Sequence, residues 1–174
     1  CISCPQRVKC KGNEHPIQPS AGQYNVAVIT EAPNFDEIKS NKYFESRDGD
    51  VLFKELNKYG FDSTDFVKTA FVKCPCKKPE LKVIKECGER YLKKELENIR
   101  FVLSIGNTGL GYWGDENKGI IKRSGECFWN EENSCWVVYC IPPSWSTWKP
   151  EFKQPFKDGI KKFVNILERT GGFI

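Results

Sequence analysis

Asn25–Ile29 reads NVAVI and runs straight into Thr30–Asn34, TEAPN. An unbroken apolar, β-branched run without alternation describes a strand buried on both faces, and Pro33 breaks it. A strand covered on both sides needs helices above and below it. That points to a parallel sheet rather than a sandwich.

Outward from this strand, Asp48–Tyr59 reads as a helix with Val51, Leu52 and Leu56 on one face and Gly60 as its stop. Phe66–Lys73 (FVKTAFVK) is the second strand. Glu80–Ile99 is a long helix with apolar residues at steps of three and four. Arg100–Ile105 (RFVLSI) is the third strand, ended by Gly106, and Thr108–Trp113 is a short helix. Arg123–Trp136 reads as a hairpin or long loop. Trp136–Ile141 (WVVYCI) is the fourth strand, stopped by Pro142 and Pro143, and Pro155–Arg169 is a closing helix. Cys1–Tyr24 shows little periodicity and reads as irregular. The expected fold is α/β: a three-layer α/β/α domain with a central four-stranded, mostly parallel sheet, residues 1–174 forming one unit. Ligands of such sheets bind beyond the carboxyl ends of the strands. That singles out residues 30–37, 70–77, 106–108 and 142–149.

The 174 residues are 39% hydrophobic and 29% charged, which excludes a disordered chain. No apolar run approaches a membrane span, and the polar, cysteine-rich start has no signal-peptide pattern, so a cytoplasmic protein is expected. Net charge is +4, compatible with a nucleic-acid partner without requiring one. Three basic groups stand out: Lys73, Lys77, Lys78, Lys82 and Lys85; Lys118, Lys122 and Arg123; and Lys149, Lys153, Lys157, Lys161 and Lys162.

Nine cysteines cannot all pair within one chain. Cys1 and Cys4 form a C-x-x-C, Cys74 follows the second strand, and Cys87 lies in the next helix. Four thiolates suit an iron–sulfur cluster or zinc. Cys10 and Cys76 are rival ligands, whereas Cys127, Cys135 and Cys140 read as ordinary thiols.

The order C-x-x-C, strand, E-A-P, strand, K-C and a helix cysteine resembles the iron–sulfur uracil-DNA glycosylases of the family 4 kind. The family's G-E-x-P-G turn is matched by Thr30-Glu31-Ala32-Pro33-Asn34, and its acidic pair by Asp36-Glu37. Its G-x-P-F-x-G-x-x-G-x-L-L stretch is matched by residues 41–52, with Phe44 at the aromatic position. T-N-x-V-K-C is matched by Thr69-Ala70-Phe71-Val72-Lys73-Cys74, L-G by Ile105-Gly106, and R-G by Arg123-Ser124-Gly125. The resemblance covers nearly the whole chain. It implies a 4Fe-4S cluster held by Cys1, Cys4, Cys74 and Cys87, structural in role, and double-stranded DNA with a flipped base as partner. A monomer is expected.

Two departures bear on the base. The family's H-P-S is Pro142-Pro143-Ser144 here, so the histidine is missing. The asparagine that reads the uracil edge is Ala70. The chain's one histidine, His15, lies in the irregular N-terminal segment.

Breaking an N-glycosidic bond needs a carboxylate near the cationic sugar and donors for the departing base. Glu31 is the expected carboxylate, with Asp36 in reserve. The base pocket is expected from Ala32, Pro33, Phe44, Ala70 and Ser144, with Phe44 stacking on the base. Donors are sought among the 32–35 amides, Ser144 and Lys149. Trp145 and Trp148 stand where the family inserts an apolar wedge, and Lys149, Lys122 and Arg123 are candidate phosphate contacts. An alanine in place of asparagine leaves room for a larger base. The expected substrate is therefore a bulky or hypermodified pyrimidine, as in invading phage DNA, rather than uracil. A non-catalytic DNA binder of the same fold and a repair uracil-DNA glycosylase are the alternatives.

Overall fold

The computed structural model describes residues 16–115, 117 and 119–171. Five strands form one sheet: β1 (Val26–Thr30), β2 (Val67–Ala70), β3 (Phe101–Ile105), β4 (Cys127–Asn130) and β5 (Cys135–Cys140), in the order β2-β1-β3-β5-β4. The first three and β5 run parallel, and β4 pairs antiparallel with β5 at the edge. The sheet thus has one strand more than the four expected. The Arg123–Trp136 segment is a hairpin whose first arm adds β4, a strand of four residues with only partial burial. Too little of it is buried for its apolar pattern to register.

Val26, Ala27, Val28 and Ile29 are fully buried, and every residue of β3 is buried. That is the signature of a sheet covered on both faces. Helices supply the cover: α1 (Phe35–Ser40), α2 (Arg47–Leu56), α3 (Leu81–Cys87), α4 (Asn107–Trp113), α5 (Ile120–Arg123), α6 (Pro143–Trp148) and α7 (Lys153–Thr170). The crossover from β1 to β2 runs one way across the sheet, and that from β2 to β3 runs back past β1. Right-handed crossovers therefore put α1 and α2 on one face and α3 on the other. Packing follows this division: α2 lies against α6 and α7, and α3 against α4.

The long helix expected over Glu80–Ile99 is not uniform. After α3 it passes through a π-helical stretch, Gly88–Leu92, into Lys93–Glu95. Gly88 is there because a β-carbon would lie 2.2 Å from the Tyr112 ring on α4. Two short helices, α1 and α6, fall where the sequence reads as loop. Each carries a start signal: an Asn34/Glu37 capping box for α1, and Pro143 in the first turn of α6.

Candidate active site

In this topology β1 is flanked by β2 and β3, and the chain leaves it in opposite directions. The gap between the carboxyl ends of β1 and β3 is the switch point at which open α/β sheets bind ligands. Glu31, the residue after β1, reaches into it. Its Oε1 accepts hydrogen bonds from the Thr108 backbone N–H at 3.0 Å and the Thr108 hydroxyl at 3.1 Å. Its Oε2 has no hydrogen bond among the described residues, and the side chain is partly exposed. One oxygen is fixed and the other is open.

Gly106 makes this possible. Its φ of 85° with ψ of 176° is a conformation essentially reserved for glycine. A β-carbon there would come within 2.3 Å of the Glu31 Cδ. Gly106 also donates its N–H to the Cys140 carbonyl at 3.0 Å, tying the β3 end to the β5 end.

The segment after Glu31 is held from below by Glu37. Asn34 caps α1, and the Glu37 carboxylate returns to the Asn34 N–H at 2.8 Å. Its other oxygen accepts the Phe44 N–H at 2.6 Å, which fixes Phe44 at a φ of 62°. Glu37 is buried, and this desolvation raises its pKa above the ordinary carboxylate range. The sequence marks Glu37 only as half of an acidic pair; the capping box was the readable signal for more. Asp36, the reserve carboxylate, is exposed in the first turn of α1, where its charge suits the helix dipole.

The expected base pocket is largely closed. Ala32 is partly exposed, but Pro33 is buried. Ala70 has no exposure. Phe44 is 7% exposed, its ring edge-on to Phe53 at 5.9 Å. Ser144 is partly exposed in the first turn of α6, which packs against α2, where burial raises the Asp48 pKa above the ordinary carboxylate range.

The flank beyond β5 is open and apolar. Trp148 is 71% exposed and Ile121 51%. With Trp145, Phe152 and Lys149 they line a groove, in which the Trp145 and Phe152 rings lie 5.4 Å apart and the Lys149 ammonium sits over Phe152. Arg123 does not join them as a free cation. Its guanidinium is bound by Asp115 and Glu126 and lies over the Tyr139 ring. Lys122 and Lys149 are the exposed cations here.

Lys73, placed with the basic segment by sequence, is instead 1% exposed. Its ammonium bonds to the Thr69 hydroxyl and the Glu95 carboxylate, each at 2.6 Å. Desolvation lowers its pKa and Glu95 opposes that shift. Beside it, Cys74 and Cys87 are both buried in one small cluster with Val72, Val83 and Ile84. Ala32, next to Glu31, and Cys76 pack against this cluster. Cys1, Cys4, Cys10 and His15 lie outside the described residues, and no group of three potential metal ligands converges among the described ones.

The family model of the uracil DNA glycosylase superfamily matches residues 18–165, from the segment before β1 well into α7. The chain belongs to that superfamily. A search of curated proteins finds no match. The superfamily comprises DNA glycosylases, enzymes that act on DNA. Glu31 stands at the switch point of the sheet, and Trp148 is exposed on the flank beyond β5. No helix among the described residues is long and apolar enough to cross a membrane.

Proposed function

We propose that this protein is a DNA glycosylase that hydrolyses the N-glycosidic bond of a flipped, modified or damaged base, a modified pyrimidine as in phage DNA, rather than of plain uracil. The observation that carries the reading is Glu31: a carboxylate at the switch point with one oxygen fixed by Thr108 and the other open. Such a group stabilises positive charge on the sugar and orients water. With Ala70 buried and apolar and Pro142 beyond β5, neither position offers a polar group to a uracil edge. Trp148 would fill the gap left by the extruded base, while Lys149 and Lys122 contact phosphates.

Cys74 and Cys87 fit a 4Fe-4S cluster as two buried soft donors on neighbouring elements, with Cys1 and Cys4 completing the set. When bound, the cluster would be structural, holding the N-terminal segment against the turn that carries Glu31.

A second reading has an observation behind it. Glu31 also caps α4 through Thr108, a structural task that a non-catalytic DNA binder could retain. Glu31→Gln separates the two, because a glutamine oxygen still accepts both Thr108 bonds while the charge is lost. Base release is measured by mass spectrometry from duplexes carrying uracil, hypoxanthine, hydroxymethylated and glucosylated pyrimidines. The proposal expects release of a modified base by the wild type and loss of release in the variant. Robust release of uracil alone overturns the substrate assignment. No release from any duplex, with binding intact, favours the binder.

A further inference from the structure

We propose that Asn107 is a second catalytic residue, a fixed amide donor to the 2-carbonyl oxygen of the departing pyrimidine. This rests on the glycosylase reading above and names what stabilises its leaving group. Asn107 is the first residue of α4 and lies between the two residues that hold Glu31. Before it, Gly106 leaves the space in which the Glu31 side chain lies, a β-carbon there falling 2.3 Å from Glu31 Cδ. After it, the Thr108 N–H, whose nitrogen is bonded to the Asn107 carbonyl carbon, is 3.0 Å from Glu31 Oε1. Asn107 therefore shares the switch point with the carboxylate, and it is exposed whereas Thr108 is buried.

The amide is oriented before any substrate arrives. Its Oδ1 accepts the Ile120 N–H at 3.0 Å, so the other end of the group is the NH2. That NH2 has no partner among the described residues. The anchor is buried: Ile120 is 1% exposed and opens α5, whose Arg123 guanidinium is bound by Asp115 just past α4. The excursion from α4 to α5 is thus tied at Asn107–Ile120 and again at Asp115–Arg123. A donor that need not reorganise as charge develops is what stabilises a departing anion. Ala70 and Pro142 supply no such group.

The choice of the 2-carbonyl follows from where Asn107 lies. In the glycosylase reading Glu31 serves the sugar, and the 2-carbonyl is the base acceptor nearest the glycosidic nitrogen. A carboxylate for the sugar and a donor for that oxygen must be near neighbours, as these two residues are. When the C1′–N1 bond breaks, its electron pair goes to the base and charge spreads onto the 2-oxygen. There the amide donates a hydrogen bond without giving up its proton. Water adds its hydroxyl to C1′ and gives its proton to Glu31, which returns it to solvent, and the base anion takes a proton from solvent. The 2-carbonyl is common to uracil, thymine and cytosine whatever stands at C5. This donor therefore accepts a modified pyrimidine without reading its substituent.

The test is single-turnover base release from duplexes carrying one 5-hydroxymethyluracil or one 5-formyluracil, the electron-withdrawing formyl group making the second the better leaving group. Wild type, Asn107→Ala, Asn107→Asp and Asn165→Asp, the last exposed on α7, are compared, with melting curves and DNA affinity on the same samples. Aspartate keeps an oxygen for the Ile120 N–H and removes the donor, so it decides the matter if the alanine variant melts lower. Both Asn107 variants should slow release of 5-hydroxymethyluracil about 100-fold or more, the range of a lost oxyanion donor. They should slow 5-formyluracil much less, at unchanged affinity, and Asn165→Asp should match wild type on both. If Asn107→Ala equals wild type on both bases, the donor role is wrong. The same holds if the loss is equal for the two bases, the mark of a misplaced Glu31. It holds too if affinity falls while the saturated rate stays, the mark of a phosphate contact. If the wild type binds both duplexes but releases neither base, the glycosylase reading itself falls, and the donor role with it.

Discussion

Gly106 meets two demands at once: a backbone conformation that other residues avoid, and empty space where the Glu31 side chain lies. Gly106→Ala should cost about 1–3 kcal/mol in stability and swing the Glu31 carboxyl off Thr108. Thermal melting together with base-release rate checks this; a fully active alanine variant would mean that Glu31 need not sit where it does. Glu37 is a buried carboxyl with two N–H donors and a pKa raised by desolvation. A raised pKa means the folded state holds its proton more tightly than the unfolded chain. This group's contribution is therefore full below the ordinary carboxylate range and falls as pH rises through the raised value. Glu37→Gln should flatten that part of the stability–pH curve, while leaving one N–H unsatisfied at a cost of about 1–3 kcal/mol. Urea midpoints measured across pH for both proteins decide it. Glu31 was legible in the sequence because it follows a strand that could only be buried. The role of Glu37 was written in the Asn34/Glu37 spacing, but its second partner, the Phe44 amide, depends on how the chain turns back.

At the scale of elements, the second strand and the helix after it are joined by the Lys73–Glu95–Thr69 cluster. Removing Glu95 strands the fully buried Lys73 ammonium, whereas removing Lys73 leaves a carboxylate that water can reach. Glu95→Ala should cost about 3–5 kcal/mol, whereas Lys73→Met, which removes the charge and keeps the volume, should cost much less. Chemical denaturation of both variants tests the ordering, and equal costs would contradict it. The lysine read as surface charge because its partner is 22 residues away, beyond the reach of local pattern. The close approach that keeps position 88 a glycine was hidden for the same reason, because Tyr112 lies on another helix. Helices α2 and α7 were readable because each repeats its apolar face over several turns. Helices α1 and α6, six residues each, are too short for periodicity to speak.

For the whole molecule, four parallel strands joined through helical crossovers place the site at the carboxyl edge of the sheet before any side chain is considered. What the order does not reveal is closure. An alanine at position 70 suggests room, yet Ala70 has no solvent exposure. DNA affinity should fall with salt, as counterion release requires, and the groove beyond β5 should add a contact that salt does not screen. Trp148→Ala should therefore weaken binding by about 1–3 kcal/mol at every salt concentration, with the salt slope unchanged. Fluorescence anisotropy across a salt series checks this, and a changed slope with unchanged affinity would contradict it.

The most direct test of the central claim is single-turnover base release from a duplex carrying one modified pyrimidine, by wild type and Glu31→Gln side by side, with DNA affinity measured on the same samples. The carboxylate at the switch point predicts release by the wild type and a loss of about 100-fold or more in the variant, at unchanged affinity and melting temperature. Equal rates in the two proteins would contradict it.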